Sequence, residues 1–146
     1  MDEYTVSTDP ADLDRDAVYR YLHEEAYWSK GISRETFDRA LDNSLNFAAL
    51  RGPTVVGFAR VVTDRATFAW LCDVFVLPAH RGRGVSRRLM EAVMAHPELA
   101  GLRNFLLATR DAHGLYEKFG FTALAHPSRV MELHRPDVYL AAREGK

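Results

Sequence analysis

The stretch Leu77-Pro78-Ala79-His80-Arg81-Gly82-Arg83-Gly84-Val85-Ser86 decides the fold of this chain. Before it, Phe68 to Leu77 is an apolar run of strand length that ends at Pro78. After it, Gly82 to His96 reads as a helix. Val85, Leu89, Ala92 and Val93 share one face, Arg83, Arg87, Arg88 and Glu91 fall elsewhere, and Pro97 stops it. Arg103 to Thr109 comes next as another apolar strand. Strand, helix and strand make a β-α-β unit, whose strands run parallel through a right-handed crossover. Two glycines therefore sit where a strand turns into a helix. Glycine allows unusual dihedrals and close approach of a ligand to the backbone. The first N–H groups of the helix lack internal partners, and the helix dipole adds to their pull on anions. With Arg81, Arg83 and Arg87 close by, the turn reads as a diphosphate cradle. It matches neither familiar nucleotide loop. Gly-Lys-Ser/Thr is missing, and Arg87 stands where a dinucleotide fingerprint needs its third glycine.

Upstream of this unit the chain mixes strands and helices. Tyr4 to Ser7 suits a short strand. Asp9-Pro10 opens a helix carrying Leu13, Ala17, Val18, Tyr21 and Leu22 at helical spacing. Tyr27-Trp28-Ser29-Lys30-Gly31 breaks that pattern. A second helix starts at Ser33, where Ile32 and Phe37 have the spacing of a hydrophobic staple. Asn46 to Leu50 and Val55 to Thr63 read as a hairpin across Arg51-Gly52-Pro53. Downstream, Asp111 to Phe119 is a short helix, ended by Gly120 in a left-handed terminus with Phe121 packing back. The remainder is expected to add one or two strands ending near Leu133. The last dozen residues are ambiguous.

The composition narrows the function classes. The chain has 146 residues, 47% of them hydrophobic, and no linker or repeat divides it, so one domain over 1–146 is expected. Nineteen basic and twenty acidic residues leave a net charge of -1, which gives no overall basic footprint for nucleic acid. One cysteine makes neither an intramolecular disulfide nor a Cys-rich zinc site, and the six histidines lack metal-ligand spacing, so no metal is expected. No apolar run approaches the roughly 18 residues of a membrane helix. Met1-Asp2-Glu3-Tyr4 lacks a signal peptide's basic start. The expectation is a soluble cytoplasmic protein with neither nucleic acid nor membrane as partner.

A second motif lies about one strand after the glycine turn: Ala112-His113-Gly114-Leu115-Tyr116-Glu117-Lys118-Phe119-Gly120-Phe121. At this point the chain resembles the GNAT superfamily of N-acetyltransferases. That family places Arg/Gln-x-x-Gly-x-Gly/Ala after its fourth strand, and Arg81, Gly84 and Ser86 match, with Ser replacing the usual Gly or Ala. It also carries Ala-x-x-Leu-Tyr-x-Lys-x-Gly-Phe, matched by Ala112, Leu115, Tyr116, Lys118, Gly120 and Phe121. The resemblance covers about Tyr4 to Leu133. It implies an α+β fold, a mixed α/β sandwich with a sheet of six to seven strands and four helices, in which the fourth and fifth strands splay apart. It also implies acetyl-CoA as cosubstrate. Pantetheine would lie in the gap against the backbone of Phe75 and Val76. Pyrophosphate would sit on the N–H groups of Arg81, Gly82, Arg83, Gly84, Val85 and Ser86. Thr109 stands where many members have an Asn that contacts pantetheine.

The resemblance gives Tyr116 the role of acid toward the leaving thiolate. Ala112 and Tyr116 share a helix face, while Leu115 and Phe119 share an adjacent one toward the core. Without the motif, a packed core tyrosine is the simpler reading. Asp73 interrupts the apolar strand Trp70-Leu71-Cys72-Asp73-Val74-Phe75-Val76, where a carboxylate is costly unless solvated, paired or functional. It is a candidate base, a candidate site for a cationic substrate, or a strand residue paired with an arginine. Tyr27 and Trp28 lie in a region that walls the acceptor site in the resembling fold, and either a substrate contact or plain core packing fits them. His113 is three residues before Tyr116, and Cys72 reads as an inert core thiol. The implied activity is direct acetyl transfer in a ternary complex to a primary amine, on a small molecule or a protein. The alternatives are a non-catalytic acyl-CoA-binding regulator or a protein-interaction module on the same scaffold. A homodimer is compatible with the resemblance.

Overall fold

The structure is a computed structural model and describes residues 3–140. Its first strand, β1, is Tyr4–Ser7. The turn after it is not the start of the expected helix. Asp9 accepts the Ala11 N–H at 2.9 Å and closes a 3-10 turn over Pro10–Asp12. Asp14 then caps Ala17, and helix α1 runs over Arg15–Glu24. Two competing side-chain caps within six residues thus split one helical pattern in two. Helix α2, Arg34–Asp42, begins at the Ser33 cap as expected, with Ile32 and Phe37 both buried. Strands β2 (Leu45–Arg51) and β3 (Thr54–Thr63) form the expected hairpin, closed by Gly52-Pro53.

Strand β4 is Phe68–Val76, and helix α3 is Val85–Ala95, shorter than the expected 82–96. Gly82 and Gly84 both have positive φ, at 77° and 79°, so neither belongs to a right-handed helix. Strand β5 is limited to Asn104–Leu107 and helix α4 to His113–Glu117. The sheet order is β1-β2-β3-β4-β5. Neighbours are antiparallel except β4 and β5, which are parallel.

The expected sixth and seventh strands are absent among the described residues, which contain five strands. Residues 122–137 instead form an irregular tail with one 3-10 turn at Pro127–Arg129, and residues 138–140 are helical. Met131 is 93% exposed and Leu133 is 81% exposed. The apolar run near Val130 therefore pairs with nothing, whereas a strand needs a partner ladder to satisfy its backbone. The helices number five rather than the expected four, because residues 138–140 are helical in addition to the four α-helices, and short 3-10 turns lie at Pro10, Pro78, Pro97 and Pro127. The ambiguous last dozen residues lie partly outside the described ones.

Two cores flank the sheet. On one face Val85, Leu89, Met90 and Val93 of α3 pack on Phe47, Ala49, Val56, Val61 and Leu71. On the other, Val18 and Leu22 of α1 and Phe37 and Leu41 of α2 pack on Ala48, Leu50, Phe58 and Phe75. The alternation of Phe47, Ala48, Ala49 and Leu50 between the two is the period of a strand buried on both faces. Gly57 lets α3 approach β3. A Cβ there would lie 3.0 Å from the Phe75 carbonyl oxygen and 3.3 Å from a Val85 methyl.

Two irregularities in β4 open the sheet on one side. Ala59 alone, between the pairs Phe58↔Phe75 and Arg60↔Cys72, faces both Asp73 and Val74. This is a β-bulge, and Asp73 at its head has φ 56°. The pairing of β4 with β5 also stops at Leu71↔Leu107. From Cys72 to Val76 the β5 side of β4 has no neighbouring strand, so a gap opens between them.

Candidate active site

The gap has an anionic-ligand end and an open end. At the first, Gly84 is the N-cap of α3 and supplies no side-chain cap. The first N–H groups of α3, at Val85, Ser86 and Arg87, lack partners within the helix. They border a cavity of about 310 Å3 lined also by Arg81, Gly82, Gly84, Leu115 and Lys118. The Arg81 side chain is engaged within the chain. Its guanidinium turns back to donate to the Val76 carbonyl at 2.8 Å and the Tyr21 hydroxyl at 2.9 Å. It therefore fastens the loop to the end of β4 and to α1. Arg87 pairs with Glu91 and Arg83 lies 4.0 Å from Glu3. The positive features of this cavity are the backbone N–H groups, Lys118 and Arg81, whose guanidinium meets only neutral acceptors.

At the middle of the gap, the Phe75 side chain is buried and stacks on Tyr21, with centroids 4.1 Å apart. The Phe75 carbonyl is turned toward Gly57 of β3, and the Val76 carbonyl accepts from Arg81. Thr109 stands across the gap and accepts the Ala112 N–H at 3.0 Å, starting α4. That engagement leaves its hydroxyl hydrogen for one further bond. Tyr116 projects from α4 into the walls of two cavities, one beside β5 and one between β4 and β5. Its ring is buried against Phe121, and its hydroxyl has no hydrogen-bond partner among the described residues. Burial pushes this phenol above its ordinary pKa of about 10, so it stays protonated at neutral pH.

The open end is a cavity of about 590 Å3. Tyr27, Trp28, Trp70, Asp73, Thr109, Tyr116 and Glu132 are among its lining residues. The sequence-derived candidates Tyr27, Trp28, Asp73, Thr109 and Tyr116 thus meet in one place. Tyr27 and Trp28 pack edge to face, and the Arg110 guanidinium lies 4.0 Å above the Tyr27 ring. Both aromatics are exposed, Tyr27 to 58% and Trp28 to 41%, so neither is ordinary core packing.

Asp73 is fully engaged. One carboxylate oxygen accepts Trp28 Nε1–H at 2.7 Å, and the other accepts Arg60 Nε–H at 2.7 Å. Burial alone would lower the Arg60 pKa, but the charge and hydrogen bond of Asp73, with the neighbouring Cys72 and Tyr139, together raise it and the guanidinium is held protonated. The arginine pairing considered for Asp73 is therefore present, and it carries Trp28 with it. Burial, reinforced by the Asp73 charge, pushes the Cys72 thiol up to about 12, so the thiolate is scarce at neutral pH.

Sequence reasoning missed Arg60, Arg110, Trp70 and Glu132. Glu132 interrupts Val130-Met131-Glu132-Leu133 as Asp73 interrupts β4, and the same argument could have found it. Arg60 interrupts Phe58-Ala59-Arg60-Val61-Val62 in the same way, but its partner was not legible, because only the pairing of β3 with β4 sets it opposite Cys72.

A strand-to-helix glycine loop, a parallel pair that parts beyond Leu71, and a tyrosine on the next short helix together define an acetyltransferase-type fold. The model of the Acetyltransferase (GNAT) family matches residues 11–121. A Gibberella zeae protein named "Putative acetyltransferase" is 34% identical over 80% of this chain and 77% of its own. A crystal structure from Xanthomonas campestris pv. campestris, described as belonging to the GNAT family, is 51% identical, covers 95% of this chain and 98% of its own, and superposes with a TM-score of 0.92. A GNAT family acetyltransferase from Elizabethkingia anophelis, solved with acetyl-CoA bound, shares the fold at 15% identity and a TM-score of 0.62, covering 92% of this chain and 90% of its own. The chain belongs to the GNAT acetyltransferase family. Among the described residues no helix is long and apolar enough to cross a membrane. No group of three or more His, Cys, Asp or Glu among them is placed to hold a metal ion.

Proposed function

We infer that the protein transfers an acetyl group from acetyl-CoA directly to a primary amine. The observation that carries this reading is the β4–β5 gap itself, with an uncapped helix N-terminus at one end and the Tyr116 hydroxyl in its wall. The α3 N–H groups and Lys118 would receive the diphosphate. The side of β4 that lacks a strand neighbour beyond Leu71 would hold the amide-bearing arm, as a strand edge holds a peptide. The thioester would then lie near Tyr116. In the transfer, the carbonyl carbon leaves sulfur and bonds to the amine nitrogen. An acceptor that arrives as ammonium first loses one proton to water at the open mouth; after attack the nitrogen loses a second proton to water, and Tyr116 gives its phenolic proton to the departing sulfur. Tyr116 regains a proton from solvent.

The state of Cys72 favours direct transfer over an acyl-cysteine intermediate. Its raised pKa leaves little thiolate, and the Asp73 carboxylate beside it is already bound at both oxygens. We assign Asp73 a positioning role. It holds the Trp28 indole at the acceptor mouth and neutralises Arg60. Asn at this position keeps an acceptor for Trp28 but leaves Arg60 without its counter-charge, at a cost of about 2–3 kcal/mol. Asp73→Asn should therefore lower the melting temperature by about 5–10 °C. The rate–pH profile should keep its shape. Loss of the acidic limb in this variant would return Asp73 to the role of base.

The reading as a whole is tested by monitoring thiol release from acetyl-CoA with a panel of primary amines. Amine-dependent release, with one acetylated amine per thiol, is expected. Saturable binding of acetyl-CoA without turnover on any amine would favour a regulatory acyl-CoA-binding domain.

A further inference from the structure

The tail from Phe121 to Tyr139 runs between the two faces of the sheet. Phe121 packs with the α3-side core, edge to face with Phe105 at 5.3 Å. Tyr139 packs with the core formed under α1 and α2, and it borders the same recess as Arg60 and Asp73. A chain segment joining opposite faces of a sheet must pass around an edge. The cavity lining shows which opening this one crosses, because Glu132 and His134 border the space between β4 and β5. Their neighbours Met131 and Leu133 are among the most exposed apolar side chains of the described residues. Simple hydrophobic burial would orient this alternation the other way. The tail places polar groups in the cavity and leaves apolar ones outside.

The charges bordering the cavity are Asp73, Asp111 and Glu132 against Arg110, with His134 as a further titratable group. Asp73 is neutralised by Arg60. Asp111 and Arg110 carry opposite charges but form no ion pair with each other, and the Arg110 guanidinium lies over Tyr27, so Glu132 leaves the cavity with a net negative charge. Glu132 has no hydrogen-bond or ion-pair partner among the described residues. It is thus an uncompensated carboxylate facing a cavity that also presents Tyr27, Trp28 and Trp70.

We propose that Glu132 is a specificity-determining residue that binds the ammonium form of the acceptor, so that the preferred acceptor is a cationic primary amine with an apolar or aromatic body. This rests on the acetyl-transfer reading for the identity of the site. The aromatic faces would pack on the body and attract its positive end, while the carboxylate supplies the charge pairing. Amines that carry a carboxylate next to the nitrogen are disfavoured by repulsion from Glu132.

The test uses the CoA-loaded full chain and two probes with the same body, 2-phenylethylamine as the cation and 2-phenylethanol as its neutral counterpart, titrated by calorimetry at fixed pH. The wild-type protein is expected to bind the amine about tenfold more tightly than the alcohol. Glu132→Gln should reduce that ratio to within about twofold, and Glu132→Asp should retain most of it. Acetyl-CoA affinity and melting temperature should not change, because the Glu132 side chain is exposed and unpaired. A ratio that persists in Glu132→Gln, or a wild-type protein that fails to discriminate or binds neither probe, overturns the proposal. Acetylation of the amine is measured in parallel. Discrimination that depends on Glu132 without turnover leaves the binding role standing and removes the transfer reading. Turnover with unchanged discrimination in Glu132→Gln does the reverse.

Discussion

Tyr116→Phe should lower kcat about 100-fold while leaving the affinity for acetyl-CoA unchanged. The substitution removes one oxygen and keeps the ring that packs on Phe121. The hydroxyl makes no hydrogen bond among the described residues, so its loss leaves no partner unsatisfied. The melting temperature should therefore stay within about 2 °C. What disappears is the proton for the departing sulfur, and a positioned acid contributes on the order of 10²–10⁴-fold. The direction of the pKa shift sets the pH dependence. An acid must be protonated to donate, and burial raises the Tyr116 pKa above about 10. Loss of activity caused by ionisation of Tyr116 should thus appear only above about pH 10. Single-turnover thiol release measures this without interference from product dissociation. Full activity of the Phe variant, with chemistry rate-limiting, would remove Tyr116 from the reaction.

Gly84→Glu should weaken acetyl-CoA binding at least about 100-fold, which is roughly 3 kcal/mol. Two effects combine. Gly84 has φ 79°, a conformation that costs a side chain of L configuration about 1 kcal/mol. The space around its Cβ is otherwise open, with the Arg87 guanidinium at 3.5 Å as the nearest contact, so the fold tolerates the added atoms. The larger effect is electrostatic. A carboxylate placed at the N-terminus of α3 competes for the N–H groups that would receive the diphosphate and repels it. Gly84→Ala separates the two contributions. It carries the conformational cost without the charge, and its affinity should fall less than tenfold. Calorimetric titration of both variants with acetyl-CoA checks this. If Gly84→Glu binds as tightly as the wild-type protein, the diphosphate does not sit at this helix terminus.

Both variants concern residues whose importance was legible from local pattern. Glycines at a strand-to-helix turn, and a tyrosine set within Leu-Tyr-x-Lys-x-Gly-Phe, are short-range signals. The conformation they require is fixed within a few residues. Arg81 belonged to the same motif, yet its side chain reaches Tyr21, which lies 60 positions earlier. No local signal carries that contact. The tail shows the converse difficulty. Val130 to Leu133 has the composition of a strand, but a strand exists only if a partner edge accepts its ladder. Here the chain crosses an opening instead, so its residues serve the cavity rather than the sheet.

The sequence by itself determined the order of the main helices and strands, the hairpin at Gly52-Pro53, the parallel unit around the glycine turn and the family to which these belong. Those features depend on periodicity, on φ requirements at glycine and proline, and on caps, all of which act over a turn or two. Only the tertiary structure decided what Asp73 is bound to, where Trp28 is held, and that Glu132 joins the charges at the open end. Arg60 meets Asp73 because the bulge shifts the β3–β4 register, and Glu132 reaches the cavity because the tail is anchored on opposite faces of the sheet. Charge compensation depends on distances between residues far apart in the chain, and folding alone sets those distances.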